Sequence, residues 1–109
     1  MAKFEKEIDA NFDDILEKIE QGILKGNISA SLEDSSDFKL EKSRCSVRVF
    51  ERYSGIGSNR VSLNVTLFQV NDSKIHLSAI TSGGSQAILW KINTLREKAF
   101  LNKLKSILE

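Results

Sequence analysis

Alternation of apolar and polar residues at a spacing of two recurs along this chain, the mark of strands with one buried face. Ile28, Ala30 and Leu32 alternate with Ser29, Ser31 and Glu33, and Cys45, Val47 and Val49 with Ser46, Arg48 and Phe50. Val61, Leu63, Val65 and Leu67 alternate with Ser62, Asn64, Thr66 and Phe68, and Ile75, Leu77 and Ala79 with His76, Ser78 and Ile80. A weaker alternation over 2–8 sets Phe4 and Ile8 against Lys3, Glu5 and Glu7, the pattern of an edge strand whose charges discourage stray pairing. The polar stretch 34–42 reads as a loop. The links 54–58 and 71–73 are short and rich in Gly, Asn, Asp and Ser, so the strands they join are expected to be antiparallel hairpins. A three-residue loop at 71–73 sets Leu67 opposite Leu77 and Val65 opposite Ala79.

Two stretches follow the helical period instead. Phe12, Ile15, Leu16, Ile19 and Ile23 form one stripe, with Asn11 suited to the N-cap, Asp13 and Asp14 in the first turn, and Gly26 at the end. A last helix is expected from Thr94, whose hydroxyl and Glu97 match a capping box, burying Phe100, Leu101, Leu104, Ile107 and Leu108.

The segment 86–92 fits two templates. Ile88, Ile92 and Leu95 have helical spacing, whereas a two-residue turn at Gly83-Gly84 would pair Ala79 with Ile88, Leu77 with Trp90 and Ile75 with Ile92. That pairing gives every core residue an apolar partner and favours a strand. The expected fold is then α+β: a two-layer sandwich in which an antiparallel five- to six-stranded sheet carries an N-terminal and a C-terminal helix on one face. It is one domain over residues 1–109.

Charge adds one feature. Residues 1–42 hold 6 basic and 11 acidic side chains, and residues 43–109 hold 10 and 4, so a net −5 faces a net +6. Either the basic half meets an acidic partner, or the two halves attract each other inside the domain, the acidic first helix beside the lysines of the last. One Cys and one His exclude a disulfide framework and a Cys/His zinc site. With no apolar leader at the N-terminus and no run long enough to span a bilayer, a cytoplasmic protein without a membrane partner is expected.

The blocks Ser78-Ala-Ile-Thr-Ser-Gly-Gly-Ser-Gln-Ala87, Trp90-Lys-Ile-Asn-Thr94 and Val47-Arg-Val-Phe-Glu-Arg-Tyr53 resemble a family of small bacterial proteins filed as a domain of unknown function. The likeness covers nearly the whole chain. It implies a soluble, single-domain bacterial protein and brings no activity with it. In element order alone the chain is also similar to small helix-grip-like ligand-binding folds.

Candidate chemistry is sparse. Ser82, Gly83, Gly84 and Ser85 can form either an anion nest or a plain hairpin turn. His76 is the one candidate general base near neutral pH, with no triad to be drawn around it, and Cys45 is assigned to the buried face as an inert thiol. Arg48, Phe50 and Arg52 on one outer strand face suggest a base-stacking platform, but one ring and two arginines are too few for nucleic acid to be expected. No catalytic constellation is recognisable, so neither an enzyme nor a cofactor or metal is expected.

The outer sheet face as a whole is the leading candidate site. Arg48, Phe50, Asn64, Phe68, His76 and Leu89 fall there, large apolar groups among hydroxyls and amides where a solvated face would carry Lys and Glu. The expectation is a binding domain that self-associates as a homodimer through this face, with a protein or small molecule as the other possible partner. The alternative is an apolar ligand held between sheet and helices, lined by Trp90 and Leu77.

Overall fold

Asn11 begins the first helix as its residue type requires. Its side-chain oxygen accepts the backbone N–H of Asp14 at 3.0 Å and its carbonyl accepts that of Ile15 at 3.0 Å. The computed structural model, which describes residues 1–26, 30–53, 60–83 and 100–109, places β1 at Ala2–Ile8, α1 at Phe12–Gly26, β2 at Ala30–Leu40, β3 at Ser43–Tyr53, β4 at Arg60–Gln69 and β5 at Ile75–Gly83. A second helix, α2, is described over 100–108.

The strands form one antiparallel sheet in the order β1-β5-β4-β3-β2, and both helices pack on the same face. The core lies between these layers. Ile19 and Ile23 of α1 and Phe100 and Leu104 of α2 meet Leu63, Leu67, Ile75 and Ala79 of the sheet, all without exposed surface. Gly22 explains how closely the helices approach. A Cβ there would stand 2.6 Å from Cδ1 of Ile107, so the glycine makes room for α2 at the roughly 1 kcal/mol that glycine costs inside a helix.

The hairpin register from the 71–73 loop is met: Leu67 pairs with Leu77 and Val65 with Ala79. Three expectations are corrected. First, 34–42 is not a loop. β2 continues to Leu40 and turns back at Glu41-Lys42, where Glu41 has φ 57°, as the first central residue of a type II′ turn requires. Second, β5 has β1 on its other side, with Phe4 opposite Ala79, Lys6 opposite Leu77 and Ile8 opposite Ile75. The partners drawn for these residues at Ile88, Trp90 and Ile92 are therefore displaced, and whether 87–92 is a strand lies outside the described residues, as does the Thr94 capping box. Gly83 is likewise a strand residue paired with Val61, not a turn residue.

Third, β3 is turned over. Ser46, Arg48 and Phe50 pair with Leu67, Val65 and Leu63 on the helix-covered side, while Cys45, Val47 and Val49 face outward. Charge explains the choice. Arg48 Nε lies 2.6 Å from Glu20 Oε1 of α1 and Nη1 lies 3.0 Å from Asp37 Oδ1 of β2. Arg44 lies 2.7 Å from Asp13 Oδ1 and stacks 4.2 Å over the Phe12 ring. These pairs, with Glu33–Arg60, join carboxylates of the acidic first part of the chain to arginines of the basic remainder. Among the described residues, the acids of α1 that form ion pairs, Asp13 and Glu20, meet Arg44 and Arg48 of β3, and Lys98 of the last helix lies outside the described residues.

Candidate functional site

Each strand contributes alternate residues to the outer face, and the antiparallel register aligns them in rows. One row crosses all five strands: Phe38 on β2, Cys45 on β3, Phe68 on β4, His76 on β5 and Glu7 on β1. The next runs Ser36, Val47, Thr66, Ser78, Glu5, and the third Asp34, Val49, Asn64, Ile80, Lys3. Across these three rows, β3, β4 and β5 bear no Asp, Glu, Lys or Arg. The ions stand at the rim, on β1 and at Asp34 of β2.

Phe38 is 65% exposed, Phe68 44% and Ile80 43%. No described helix covers them. His76 Nδ1 lies 3.8 Å from Glu7 Oε1, and both side chains are well exposed. A cavity of about 410 Å³ opens on this face between Glu5, Glu7, Thr66, Phe68, His76 and Ser78.

Of the residues assigned to this face from sequence, Asn64, Phe68 and His76 are there. Arg48 and Phe50 are not: Phe50 has no exposed surface and Arg48 is 8% exposed, both on the helix side. Arg48 is a structural cation. Burial alone would push its guanidinium down, but hydrogen bonds to Glu20 and Asp37 outweigh that and hold it above its usual range. Leu89 lies outside the described residues. Cys45 moves from the core to the outer face, half-buried between Phe38 and Phe68 of the adjacent strands.

The proposed anion nest is reduced. Ser82 Oγ lies 2.7 Å from Ser62 Oγ, Gly83 belongs to the sheet, and Gly84 and Ser85 are outside the described residues. Phe38, Cys45 and Val47 were not found from sequence as outer-face residues, whereas Glu5 and Glu7, set against Phe4 and Ile8 by the alternation of 2–8, are on that face. The alternation of Phe38 and Leu40 around Lys39, closed by Glu41-Lys42, was the signal for β2. Among the described residues, no group of His, Cys, Asp and Glu is placed to hold a metal ion, and no helix is long and apolar enough to cross a membrane.

The model of a family of unknown function, DUF6054, matches residues 1–109. The chain belongs to that family. The DUF6054 chain has no match among curated proteins. Among solved structures it is similar to a Pseudomonas aeruginosa crystal structure described as "Protein of Unknown Function PA94 … Putative Regulator", with a TM-score of 0.53 and 10% identity, covering 90% of this chain and 78% of that one. At that identity the likeness shows a shared fold, which for this DUF6054 member is the α+β sheet-and-helix architecture, and nothing about chemistry.

Proposed function

We propose that this protein is a non-enzymatic interaction domain that self-associates through the outer face of its sheet. The observation that carries the reading is the uncharged centre of that face, where Phe68, Ile80, Cys45 and Val47 sit among hydroxyls and an amide, with ions at the rim. An apolar centre with a polar margin is the layout of protein contact surfaces.

The size is adequate. Five strands about 4.8 Å apart and about ten residues long, rising about 3.3 Å per residue, cover on the order of 800 Å². That is about what each partner brings to an ordinary stable interface. A second copy is the simplest occupant, because a two-fold contact needs only one self-complementary patch. The alternative seat for a ligand, between sheet and helices, is occupied at its described positions by Phe50, Ile19, Leu63 and Phe100.

The test is native mass spectrometry with a parallel sedimentation run on the parent and on Phe68→Glu. The expected result is a multimer that falls apart in the variant while its far-UV spectrum stays unchanged. A variant with the parent's mass removes the outer face as the contact.

A further inference from the structure

β2 ends the sheet, with no strand beside it among the described residues. Its two-residue turn makes Leu40–Ser43 a hydrogen-bonded pair, so by alternation Asp34, Ser36, Phe38 and Leu40 bond to β3. The N–H and C=O groups of Ser35, Asp37 and Lys39 therefore point away from the sheet. The Ser35 amide fits this, since it donates to Asp34 Oδ1 at 2.8 Å instead of to β3. After the bulge between Leu32 and Asp34, the run to Leu40 is regular.

A second β2, antiparallel to the first, can bond to this edge only if outward-pointing residues meet one another. This restricts the register to steps of two. With Asp37 opposite Asp37, or Lys39 opposite Lys39, like charges would face each other across the two-fold axis. With Ser36 at the axis, Phe38 would face Asp34 and Lys39 would fall opposite the bulge. With Phe38 at the axis, Phe38 meets its own copy, Asp37 meets Lys39 twice, and Ser36 meets Leu40 twice. An aromatic pair and two opposite-charge pairs are the cross-strand combinations that stabilise a sheet.

We propose that two copies of this chain join edge to edge along β2, about a two-fold axis at Phe38, so that the five described strands of each copy continue into those of the other as one sheet. The contact goes beyond the face-on-face reading and is independent of it. The charges of β2 do not contradict it. A charged edge repels chance partners, and the same charges select the one partner and register that compensates them. Asp37 has an oxygen to spare: Ser46 at 2.6 Å and Arg48 at 3.0 Å both use Oδ1, and Oδ2 takes neither. Lys39 comes within ion-pair distance of no carboxylate among the described residues, though its charge acts on Asp13, and it shares the helix-covered side with Asp37, so neither belongs to the outer face.

Two experiments test the edge. In the first, native mass spectrometry compares the parent, Lys39→Asp and Phe68→Glu. Reversing Lys39 turns both attractive pairs repulsive and should weaken association on the order of tenfold or more, halving the assembly, whatever Phe68→Glu does. Loss of association in Phe68→Glu with none in Lys39→Asp overturns the edge contact and leaves the face contact standing. The reverse result overturns the face contact and keeps the edge. A parent that is a single chain at all concentrations overturns both.

The second experiment reads the register in a Cys45→Ser background under mild oxidation. A Phe38→Cys pair across the axis would have Cα atoms about 4.5 Å apart, within disulfide reach. A Ser36→Cys pair would be displaced by about 13 Å along the strands. Covalent dimers from Phe38→Cys alone support the assignment. Dimers from Ser36→Cys, or from neither, overturn it.

Discussion

β3 and β4 lie side by side in one sheet, paired from Arg44–Gln69 to Tyr53–Arg60, yet they sort their side chains by different rules. β4 places Val61, Leu63, Val65 and Leu67 under the helices and Asn64, Thr66 and Phe68 outside, as hydropathy dictates. β3 places Arg44, Ser46, Arg48 and Phe50 under the helices and leaves Cys45, Val47 and Val49 half-exposed. Each strand obeys what is packed against it. β4 lies under the apolar stripes. β3 lies where Asp13 and Glu20 of α1 and Asp37 of β2 converge, and Arg44 and Arg48 answer these three carboxylates. Burial of a charge is tolerated when it is paired and hydrogen-bonded, and Arg48 also reaches the carbonyl of Val47 at 3.0 Å.

The strongest way to break this comparison is to truncate one ring from each side of the sheet. Phe50→Ala should cost about 3–5 kcal/mol, because it removes a fully buried ring and leaves a cavity. Phe68→Ala, on the half-exposed outer face, should cost under about 1 kcal/mol in the dissociated chain. Urea titration below the association range measures both. Equal losses would mean that β3 is not turned as described.

The Arg48 cluster sharpens the point. Glu20→Ala leaves a 9%-exposed guanidinium with Asp37 and backbone carbonyls alone, an expected loss of about 1–3 kcal/mol. Arg48→Met removes the buried charge itself and leaves Glu20 and Asp37 where water reaches them, so it should stay within about 1 kcal/mol of the parent. A larger loss from Arg48→Met than from Glu20→Ala would show that the ion pairs are a net source of stability and not merely a compensated cost.

The same contrast explains what was legible in the sequence. α1, the last helix and the β4–β5 hairpin could be read because each buries one apolar stripe, and a three-residue loop sets the register. β3 shows apolar residues on both sides, Phe50 on one and Val47 and Val49 on the other. Period two is visible there but its phase is not, and the partners that set it are far away in sequence. β2 has little to bury beyond Ala30, so its polar stretch looks like a loop until the Glu41-Lys42 turn is counted. The place of β1 beside β5 closes the sheet across most of the chain, beyond the reach of any rule based on local loops. The residues of the outer face were legible on β4 and β5, at Asn64, Phe68 and His76, and misplaced on β3, at Arg48 and Phe50, for the same reason of phase.

The smallest expected effect is one of pH. The Ser46 hydroxyl and then the Arg48 guanidinium hold the Asp37 carboxyl below its ordinary 3.8, and the hydrogen bond from Arg44 does the same for Asp13. A depressed folded pKa means that the unfolded chain binds protons first as pH falls. The stabilisation is therefore complete above the unfolded value and is lost as pH drops through the folded one. For Asp37, more than half exposed, solvent screening limits it to about 0.5 kcal/mol or less. Asp13 adds in the same direction. Unfolding midpoints of the parent and of an Asp13→Asn/Asp37→Asn variant, followed from about pH 6 to about pH 2, should converge only below the ordinary carboxylate range. β4 carries no ion pair on its buried side, so this acid-sensitive increment belongs to the β3 side of the sheet. A gap that stays constant with pH would place the contribution of these carboxylates in hydrogen bonding that survives protonation, and the arginines would then be bystanders to the turning of β3.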